Sequence, residues 1–345
     1  MRSLVTILFS LITISAISQD SIAVEISNWK NLKKAAIVFT FDDWSPGHGE
    51  IVVPMFIKHK VPATFYVTTK NKDLGGSWSK MKLAFEHGCE IGNHTETHPN
   101  LAEVDSIMLY KEVTEAQEVL RKNIDPKVAN TFAFPYGAFN SEVLKMVKKD
   151  HIGSRLAGLR YGRAWPYSLT YGKTDYFQLQ AFMARDIHTP STIKRMAKQA
   201  VKQGGMVTFM YHSIFNDSVA DNWFGAIHES MLEAHLKSIK SLEPEVWITT
   251  FEKAVQYHKE KANSSFTFEK DSNAVVIDLR CTLDETKFFE PITIEVSGIK
   301  KDQIKNVILV GKKDELLEYL YDEKQNVLLI NSLPYNTKIK VELKH

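Results

Sequence analysis

Short apolar runs alternate with amphipathic helical patterns from residue 35 to about residue 260. The run at 35–41 predicts a buried strand, and the pattern after it, which ends near Lys58, predicts a helix. Further strands are predicted at 63–67, from 90, and at 131–134, 177–183, 206–211 and 245–249. Further helices are predicted at 79–87, 106–123, 141–149, 193–202, 231–242 and 251–261. Repeated strand–helix units predict a mostly parallel sheet, and the length of over 200 residues favours a closed (β/α) barrel over an open sheet. In either case catalytic groups are expected at the carboxyl ends of the strands.

The pattern changes after residue 262. Helical periodicity stops, and short alternating segments separated by turn-forming residues take over. They predict strands at 266–268, 274–279, 292–296, 307–310, 327–330 and 339–343. We therefore expect a catalytic domain at 20–262 and a small β-sandwich-like accessory domain at 263–345. The second domain could bind carbohydrate, mediate dimerisation or cover part of the barrel.

The first residues of the chain have the pattern of a targeting segment. Met1 and Arg2 form a short basic start, and the run at 4–17 is apolar apart from small or hydroxyl residues. We predict a Sec signal peptide over residues 1–19 and a secreted protein, periplasmic or extracellular. A span of the bilayer needs about 20 apolar residues, and no later stretch is long enough. The sequence thus predicts no membrane span.

Charge and cysteine content narrow the possible partners. The 43 basic and 41 acidic residues leave a formal net charge of +2, so we expect no nucleic acid partner. The two cysteines, Cys89 and Cys281, lie in different predicted domains. We predict two buried thiols rather than a disulfide, although export would permit one.

Polar clusters follow several of the predicted strands, as a barrel enzyme requires. Asp42 and Asp43 end the first strand, where a helix cap or turn is the plain alternative. His94 and His98 have the i, i+4 spacing that places two imidazoles on one helical face, suited to a shared metal ion. Thr95 stands where a metalloprotease HExxH motif has its general base, which disfavours that class.

Two more clusters complete the set. The strand at 131–134 runs into Pro135, Tyr136 and Gly137, a turn whose backbone N–H groups could face an oxyanion. His212 follows the strand at 206–211, where a histidine can titrate near neutral pH. Each cluster alone has a structural explanation. Together they supply the groups that metal-assisted hydrolysis needs.

Four of these segments resemble, in order, the motifs of the polysaccharide deacetylases, the NodB-homology or carbohydrate esterase family 4 proteins. They are TFDD at 40–43, HTETH at 94–98, PYG at 135–137 and MYHS at 210–213. The resemblance covers roughly residues 33–260. It implies a distorted (β/α) barrel, removal of acetyl groups from an acetylated polysaccharide or oligosaccharide, and a divalent metal, usually zinc.

The resemblance also implies roles for individual residues. Three protein ligands would leave an open position for water, as in catalytic zinc sites. A base and a protonated acid would act on either side of the reaction. The implied residues are the metal ligands Asp43, His94 and His98, the base Asp42, the acid His212, and Tyr136, whose backbone N–H would face the oxyanion.

The sequence departs from the family pattern at one position. Many members carry an arginine two residues before the proline of the third motif, where it orients the base. Ala133 occupies that position here, so Asp42 lacks its expected partner. Arg163 and Arg185, in later loops, are the candidates to replace it.

Substrate contacts are expected from residues near these motifs. Trp44 and Trp223 could stack on sugar rings, and Pro135 would line the same site, although packing beneath a loop is the alternative for each tryptophan. Two other functions stay open. One is a catalytically impaired glycan-binding protein on a deacetylase-like barrel. The other is a different hydrolase, either a metalloprotease or a glycosidase that pairs Asp42 with a distant carboxylate.

Overall fold

A computed structural model describes residues 22–70, 77–157, 167–168, 174–221 and 224–344 of the protein. Its strands are β1 (Ala23–Ile26), β2 (Ala35–Asp42), β3 (Thr64–Val67), β4 (Glu90–Asn93), β5 (Thr131–Ala133), β6 (Gly153–Arg155), β7 (Tyr167–Ser168), β8 (Phe182–Met183), β9 (Met206–Tyr211), β10 (Ile214–Phe215), β11 (Ile227–His228), β12 (Val246–Thr249), β13 (Ser264–Lys270), β14 (Ala274–Cys281), β15 (Ile292–Ser297), β16 (Ile304–Val310), β17 (Glu315–Leu316), β18 (Tyr319–Asp322), β19 (Val327–Ser332) and β20 (Thr337–Leu343).

The helices follow the predicted pattern closely. They are α1 (Val53–His59), α2 (Trp78–Glu86), α3 (Ser106–Tyr110), α4 (Ala116–Asn123), α5 (Ser141–Asp150), α6 (Pro190–Gln203), α7 (Glu229–Lys240) and α8 (Phe251–Ala262). A π-helical segment, Lys111–Glu115, joins α3 to α4, so the helix predicted at 106–123 is confirmed as one continuous rod. The strand predicted at 177–183 is wrong for most of its length, since only Phe182–Met183 pairs as a strand. No helix of the described residues is both long and apolar enough to cross a membrane.

A curled sheet of nine described strands forms the first part of the molecule. Its order is β6-β5-β4-β3-β2-β9-β7, with β12 also pairing with β2 and β8 with β9. All of these pairs are parallel except β7 with β9. The predicted distorted (β/α) barrel is therefore confirmed as the fold class.

Side-chain alternation along β2 separates the two faces of this sheet. Residues 35, 37, 39 and 41 belong to the core cluster that includes residues of α1, α2, α6 and α7. Ala36 and Val38 belong to a second cluster, with Tyr66, Ala133 and residues of α8. Because strand side chains alternate with period two, Asp42 continues this second face. Asp42, the base predicted from the sequence, therefore lies at the carboxyl end of the sheet face that packs against α8.

Residues after 262, together with β1, form two antiparallel sheets. One has the order β13-β14-β20-β16-β17 and the other β1-β15-β19-β18. Apolar residues of both sheets, such as Ile277, Ile294, Ile330 and Val341, share one core, as in a β sandwich. Both cysteines are free thiols, as expected; Cys89 is buried, whereas Cys281 is only partly buried, so the burial predicted for it is wrong.

Strand β1 lies before the barrel in sequence but within the sandwich in space. It pairs antiparallel with β15, from Ala23 opposite Ser297 to Ile26 opposite Ile294. The proposed division at 20–262 and 263–345 would leave this strand with the barrel. The first described strand therefore belongs to the sandwich, and Trp29 follows it at the barrel, where its indole Nε1 donates to the Gly204 carbonyl at 2.9 Å.

Candidate active site

The pair Asp42 and Asp43 occupies a tight turn at the carboxyl end of β2. Asp43 has φ of 74° and Trp44 has φ of 58°, a left-handed conformation that non-glycine residues adopt at some cost. Both carboxylates are nearly buried, with 2% and 6% of their surfaces exposed. The turn directs both acidic side chains to the same end of the barrel, although neighbouring residues of a strand point to opposite faces.

His94 and His98 lie on a loop, so the predicted helical face is wrong. The segment after β4 is irregular, and Thr95 and His98 have φ of 73° and 63°. Side chains hold this shape: the Thr95 N–H donates to Asn93 Oδ1 at 3.0 Å, and the His98 N–H donates to Thr95 Oγ1 at 2.9 Å. The two imidazoles converge because the loop folds back on itself, and their ring centres lie 4.8 Å apart.

Glu112 braces this loop, a role that the sequence reasoning missed. It is fully buried and accepts the backbone N–H groups of Glu96 and Thr97 at 2.9 and 2.8 Å, and the Thr97 hydroxyl at 2.5 Å. The available signal was its position in the helical pattern, since Glu112 lies on the buried face that Leu109 and Ala116 define. A charged residue on an apolar helix face is a candidate for a specific polar partner.

Asp43, His94 and His98 together form a candidate metal centre. One possible ligand atom from each lies within 4.8 Å of the others, and Asp43 Oδ1 is 3.5 Å from the Nε2 atom of each histidine. His94 Nδ1 lies 2.8 Å from the Ala133 carbonyl oxygen, which must accept a hydrogen bond from it. Nε2 of His94 is then free of its proton and can bind a metal.

The electrostatics of the three residues fit a bound cation. Burial lowers the pKa of His94 to about 3, with a smaller opposing effect of Asp42, and burial also lowers the pKa of His98. Burial and the neighbouring Asp42 raise the pKa of Asp43 to about 7. Neutral imidazole nitrogens and a carboxylate oxygen are the donors that a divalent ion such as zinc prefers.

Arg155 supplies the cation that the sequence leaves missing at Ala133. Its side chain is fully buried, and its Nη2 forms an ion pair with Asp42 Oδ1. Burial alone would raise the pKa of Asp42, but Arg155, His94 and His212 outweigh it and hold that pKa at about 2. Asp42 is therefore ionised at neutral pH, as a base must be.

Of the two arginines predicted for this role, Arg185 does not fill it. Arg185 is exposed, and its backbone N–H donates to His188 Nδ1 at 2.9 Å. Arg163 lies outside the described residues.

His212 follows β9 and faces Asp42 across the site, with Nε2 3.9 Å from Asp42 Oδ2. Its carbonyl oxygen accepts a hydrogen bond from His48 Nε2 at 2.6 Å, which holds the backbone here. Burial lowers the pKa of His212 to about 4, although Asp42 opposes the shift. Its Nδ1 is buried and has no hydrogen-bond partner within the described ranges. Without a bound metal or substrate, the pKa of His212 thus lies below neutral pH.

Asp42, Asp43, His94, His98 and His212 all line a cavity of about 700 Å³. Its lining also includes the apolar side chains of Phe134, Met183, Met210 and Phe224. Tyr136 stands at the mouth: it is 69% exposed, has φ of 57° and packs edge-on against His98 at 4.7 Å. The cavity is large enough for part of a sugar chain to approach the candidate metal centre.

Trp44 and Pro135, two of the predicted substrate contacts, do not line the cavity. Trp44 is 1% exposed and packs edge-on against Phe65 at 5.1 Å, so the predicted stacking of Trp44 on a sugar is wrong. Its left-handed backbone turns the indole into the core beneath the site. Pro135 is buried and is not among the residues that line the cavity. Trp223 lies outside the described residues.

Residues 30–152 match a protein family described as polysaccharide deacetylase. The matched segment belongs to that family. This polysaccharide deacetylase segment includes the acidic pair, the histidine loop and Tyr136. Arg155 and His212 lie beyond the match and join the site only through the fold.

Relatives of this deacetylase segment include a chitooligosaccharide deacetylase of Rhizobium leguminosarum bv. trifolii. It is 35% identical over 114 residues, which are 31% of this chain and 49% of the relative. A poly-beta-1,6-N-acetyl-D-glucosamine N-deacetylase of Staphylococcus aureus is 27% identical over 162 residues, 42% of this chain and 53% of the relative. The chain spans about half the length of the curated relatives it matches.

Among solved structures, a family 4 carbohydrate esterase from Bacillus anthracis is similar over 65% of this chain and 83% of its own. The identity is 18% and the TM-score 0.43. A Streptococcus pyogenes deacetylase in complex with acetate covers 46% of this chain and 69% of its own, with 18% identity and a TM-score of 0.41.

Proposed function

We propose that the protein is a secreted, metal-dependent carbohydrate deacetylase that hydrolyses N- or O-acetyl groups of a polysaccharide or oligosaccharide. One observation carries the proposal. Asp43, His94 and His98 offer converging ligand atoms beside an ionised Asp42, on the wall of a cavity that also holds His212. The N-terminal pattern at 1–19, outside the described residues, supports export.

Asp43, His94 and His98 are the residues that would hold the metal, which we expect to be zinc. Bound there, a divalent ion would supply Lewis-acid chemistry, activating water and polarising the acetyl carbonyl. Asp42 would accept the proton of the attacking water at Oδ2, the oxygen that Arg155 leaves free. The Tyr136 backbone N–H would stabilise charge on the carbonyl oxygen.

His212 would deliver a proton to the leaving sugar nitrogen or oxygen. Its pKa of about 4 supports a cycle in which His212 gains that proton during the reaction rather than bringing it. Asp42 Oδ2 lies 3.9 Å from His212 Nε2, close enough for one water or substrate atom to relay a proton between them. The base and the acid would thus share one proton in sequence.

The substrate class is proposed from the relatives. Their names specify chitooligosaccharides and poly-beta-1,6-N-acetyl-D-glucosamine, so oligomers of N-acetylglucosamine head the set of substrates to test. Peptidoglycan and acetylated xylan extend that set to a third N-acetylated glycan and to an O-acetylated one.

The test is acetate release from these four glycans by the zinc-loaded protein. We expect release from at least one glycan, and a loss of about 10²- to 10⁴-fold in Asp42→Asn. The exposed Asp186→Asn is the matched control and should keep full activity. Metal analysis should find one zinc ion per wild-type chain and substoichiometric zinc in His94→Ala.

Each part of the proposal can fail separately. Full activity in Asp42→Asn would contradict the assignment of Asp42 as the base. Stoichiometric zinc in His94→Ala would contradict the proposed metal centre. Tight glycan binding without acetate release from any of the four would favour the glycan-binding protein instead.

A further inference from the structure

We propose that Arg155 is the positioning residue of Asp42, and that it acts from the strand next to the one that carries Ala133. The kinetic test of this inference depends on the proposed function, whereas the contacts that support it do not. Arg155 ends β6, and it sets which oxygen of Asp42 faces the cavity.

The guanidinium of Arg155 is fully buried, which is costly unless its charge is compensated. Within the described part of the chain, its ion pair is with Asp42. Its Nη1 adds weak contacts to the Leu156 carbonyl at 3.3 Å and to Met210 Sδ at 3.2 Å. The charge of Arg155 is therefore directed at the base.

The ion pair divides the two oxygens of the Asp42 carboxylate between different neighbours. Oδ1 is taken by Arg155 Nη2. Oδ2 is left 3.9 Å from Nε2 of His94 and 3.9 Å from Nε2 of His212. A carboxylate without this anchor could rotate about its Cβ–Cγ bond, since that torsion is soft. Arg155 thus presents one defined oxygen to the reacting water.

Tyr66 holds the arginine in turn. The Arg155 guanidinium carbon lies 4.6 Å from the centre of the Tyr66 ring, a favourable cation–π distance. The Tyr66 hydroxyl shares a hydrogen bond with Thr131 Oγ1 at 3.1 Å. Gly92 lies against the same ring, where a Cβ would come within 2.5 Å of Tyr66 Cε1. The ring is therefore confined, and it confines the guanidinium.

Pairing between β5 and β6 explains how an arginine at 155 reaches the base. Ala133 and Arg155 are register partners on these parallel strands, so their side chains start from one level on one face. Neighbouring strands lie about 4.8 Å apart, a gap that a long arginine side chain can bridge. The small side chain of Ala133 leaves this space open. An arginine moved from 155 to 133 should then reach Asp42 as well.

The experiment compares three variants of the full-length, zinc-loaded protein on the best acetylated substrate. We expect Arg155→Met, which keeps apolar bulk, to lower kcat by about 10- to 100-fold with KM changed less than about twofold. Zinc content should stay at the wild-type level. Arg155→Lys keeps the positive charge but lacks the planar guanidinium group. Its kcat should lie between those of Arg155→Met and the wild type. The double variant Ala133→Arg/Arg155→Ala moves the arginine to the neighbouring strand. It should recover at least about half of the decrease in log kcat that Arg155→Met shows.

Arg185→Ala, an exposed arginine, is the matched control and should match the wild type. Wild-type kcat in both Arg155→Met and Arg155→Lys would overturn the inference while leaving the deacetylase proposal intact. If the wild type releases no acetate from any glycan, the proposed function fails, and crystal structures of Arg155→Met and Arg155→Lys decide the inference. Asp42 turned away from His94 and His212 would support it, and an unmoved Asp42 would overturn it.

Discussion

Backbone strain is concentrated at the residues of the site. Of the eleven described non-glycine residues with positive φ, five are Asp43, Trp44, Thr95, His98 and Tyr136. Such conformations cost on the order of 1–3 kcal/mol each and persist where surrounding contacts enforce them. Each of the five ends or follows a strand of the barrel. Contacts from the rest of the fold therefore hold these residues in conformations that local preferences would not favour.

Glu112 is the residue that enforces the histidine loop, so its removal should weaken metal binding. Glu112→Ala leaves the N–H groups of Glu96 and Thr97 without their acceptor, and we expect zinc affinity to fall about 10-fold. Competition with a chromogenic chelator measures this. Glu112→Gln retains an acceptor and should lose less, and the exposed Glu118→Ala on α4 should lose nothing. Equal affinities in all three variants would contradict the role.

At the scale of elements, the site depends on how closely β3, β4 and β5 approach. The Tyr66 ring of β3 occupies the space that a side chain at Gly92 on β4 would need. The other near neighbour of this position is Thr131 of β5. The three strands therefore meet around one aromatic ring close to the candidate metal centre.

Gly92→Ala should destabilise the protein by about 1–3 kcal/mol, since the new methyl group meets the Tyr66 ring at 2.5 Å in a packed core. Urea unfolding followed by circular dichroism measures the change. Gly311→Ala is the matched control, because its Cβ would meet nothing closer than 3.4 Å. That variant should stay within about 0.5 kcal/mol of the wild type. A Gly92→Ala protein as stable as the control would show that the ring moves freely.

At the scale of the whole molecule, polar groups are buried where the barrel meets the sandwich. Glu260 near the end of α8 is fully buried; its Oε1 accepts from the Tyr335 hydroxyl at 3.1 Å and its Oε2 from the Glu290 N–H at 3.2 Å. Lys30 forms an ion pair with Glu290 at 2.5 Å. The interface therefore contains a carboxyl group that water does not reach.

Burial raises the pKa of Glu260 to about 8 from its usual 4.5. The folded state then keeps a proton that the unfolded state releases, so this group lowers the free energy of unfolding as pH rises from about 4.5 to 8. Glu260→Gln removes that dependence. In urea unfolding, the free energy of unfolding of the variant minus that of the wild type should increase by about 1 kcal/mol or more from pH 5 to pH 8. The exposed Glu269→Gln should follow the wild type at both pH values, and a parallel course for Glu260→Gln would refute the assignment.

Much of this protein could be predicted from local patterns. The strand and helix positions, the barrel, the strand-rich end of the chain and the polar clusters at strand ends follow from periodicity and chain order. Periodicity is a property of neighbouring residues, so a single sequence carries it in full. The same holds for Asp42, Asp43 and His212, which each end or follow a run of buried residues.

Only the tertiary structure decided which distant residues meet. Arg155 is 113 residues from Asp42 in sequence, and it reaches that carboxylate because β6 lies beside β5. The His94–His98 spacing fits a helix equally well, and the buried Glu112 is what holds it as a loop. Trp44 is turned into the core by its backbone. Strand β1 joins the sandwich by pairing with β15. In each case the deciding contact is between elements far apart in the chain, and a local pattern records nothing of such contacts.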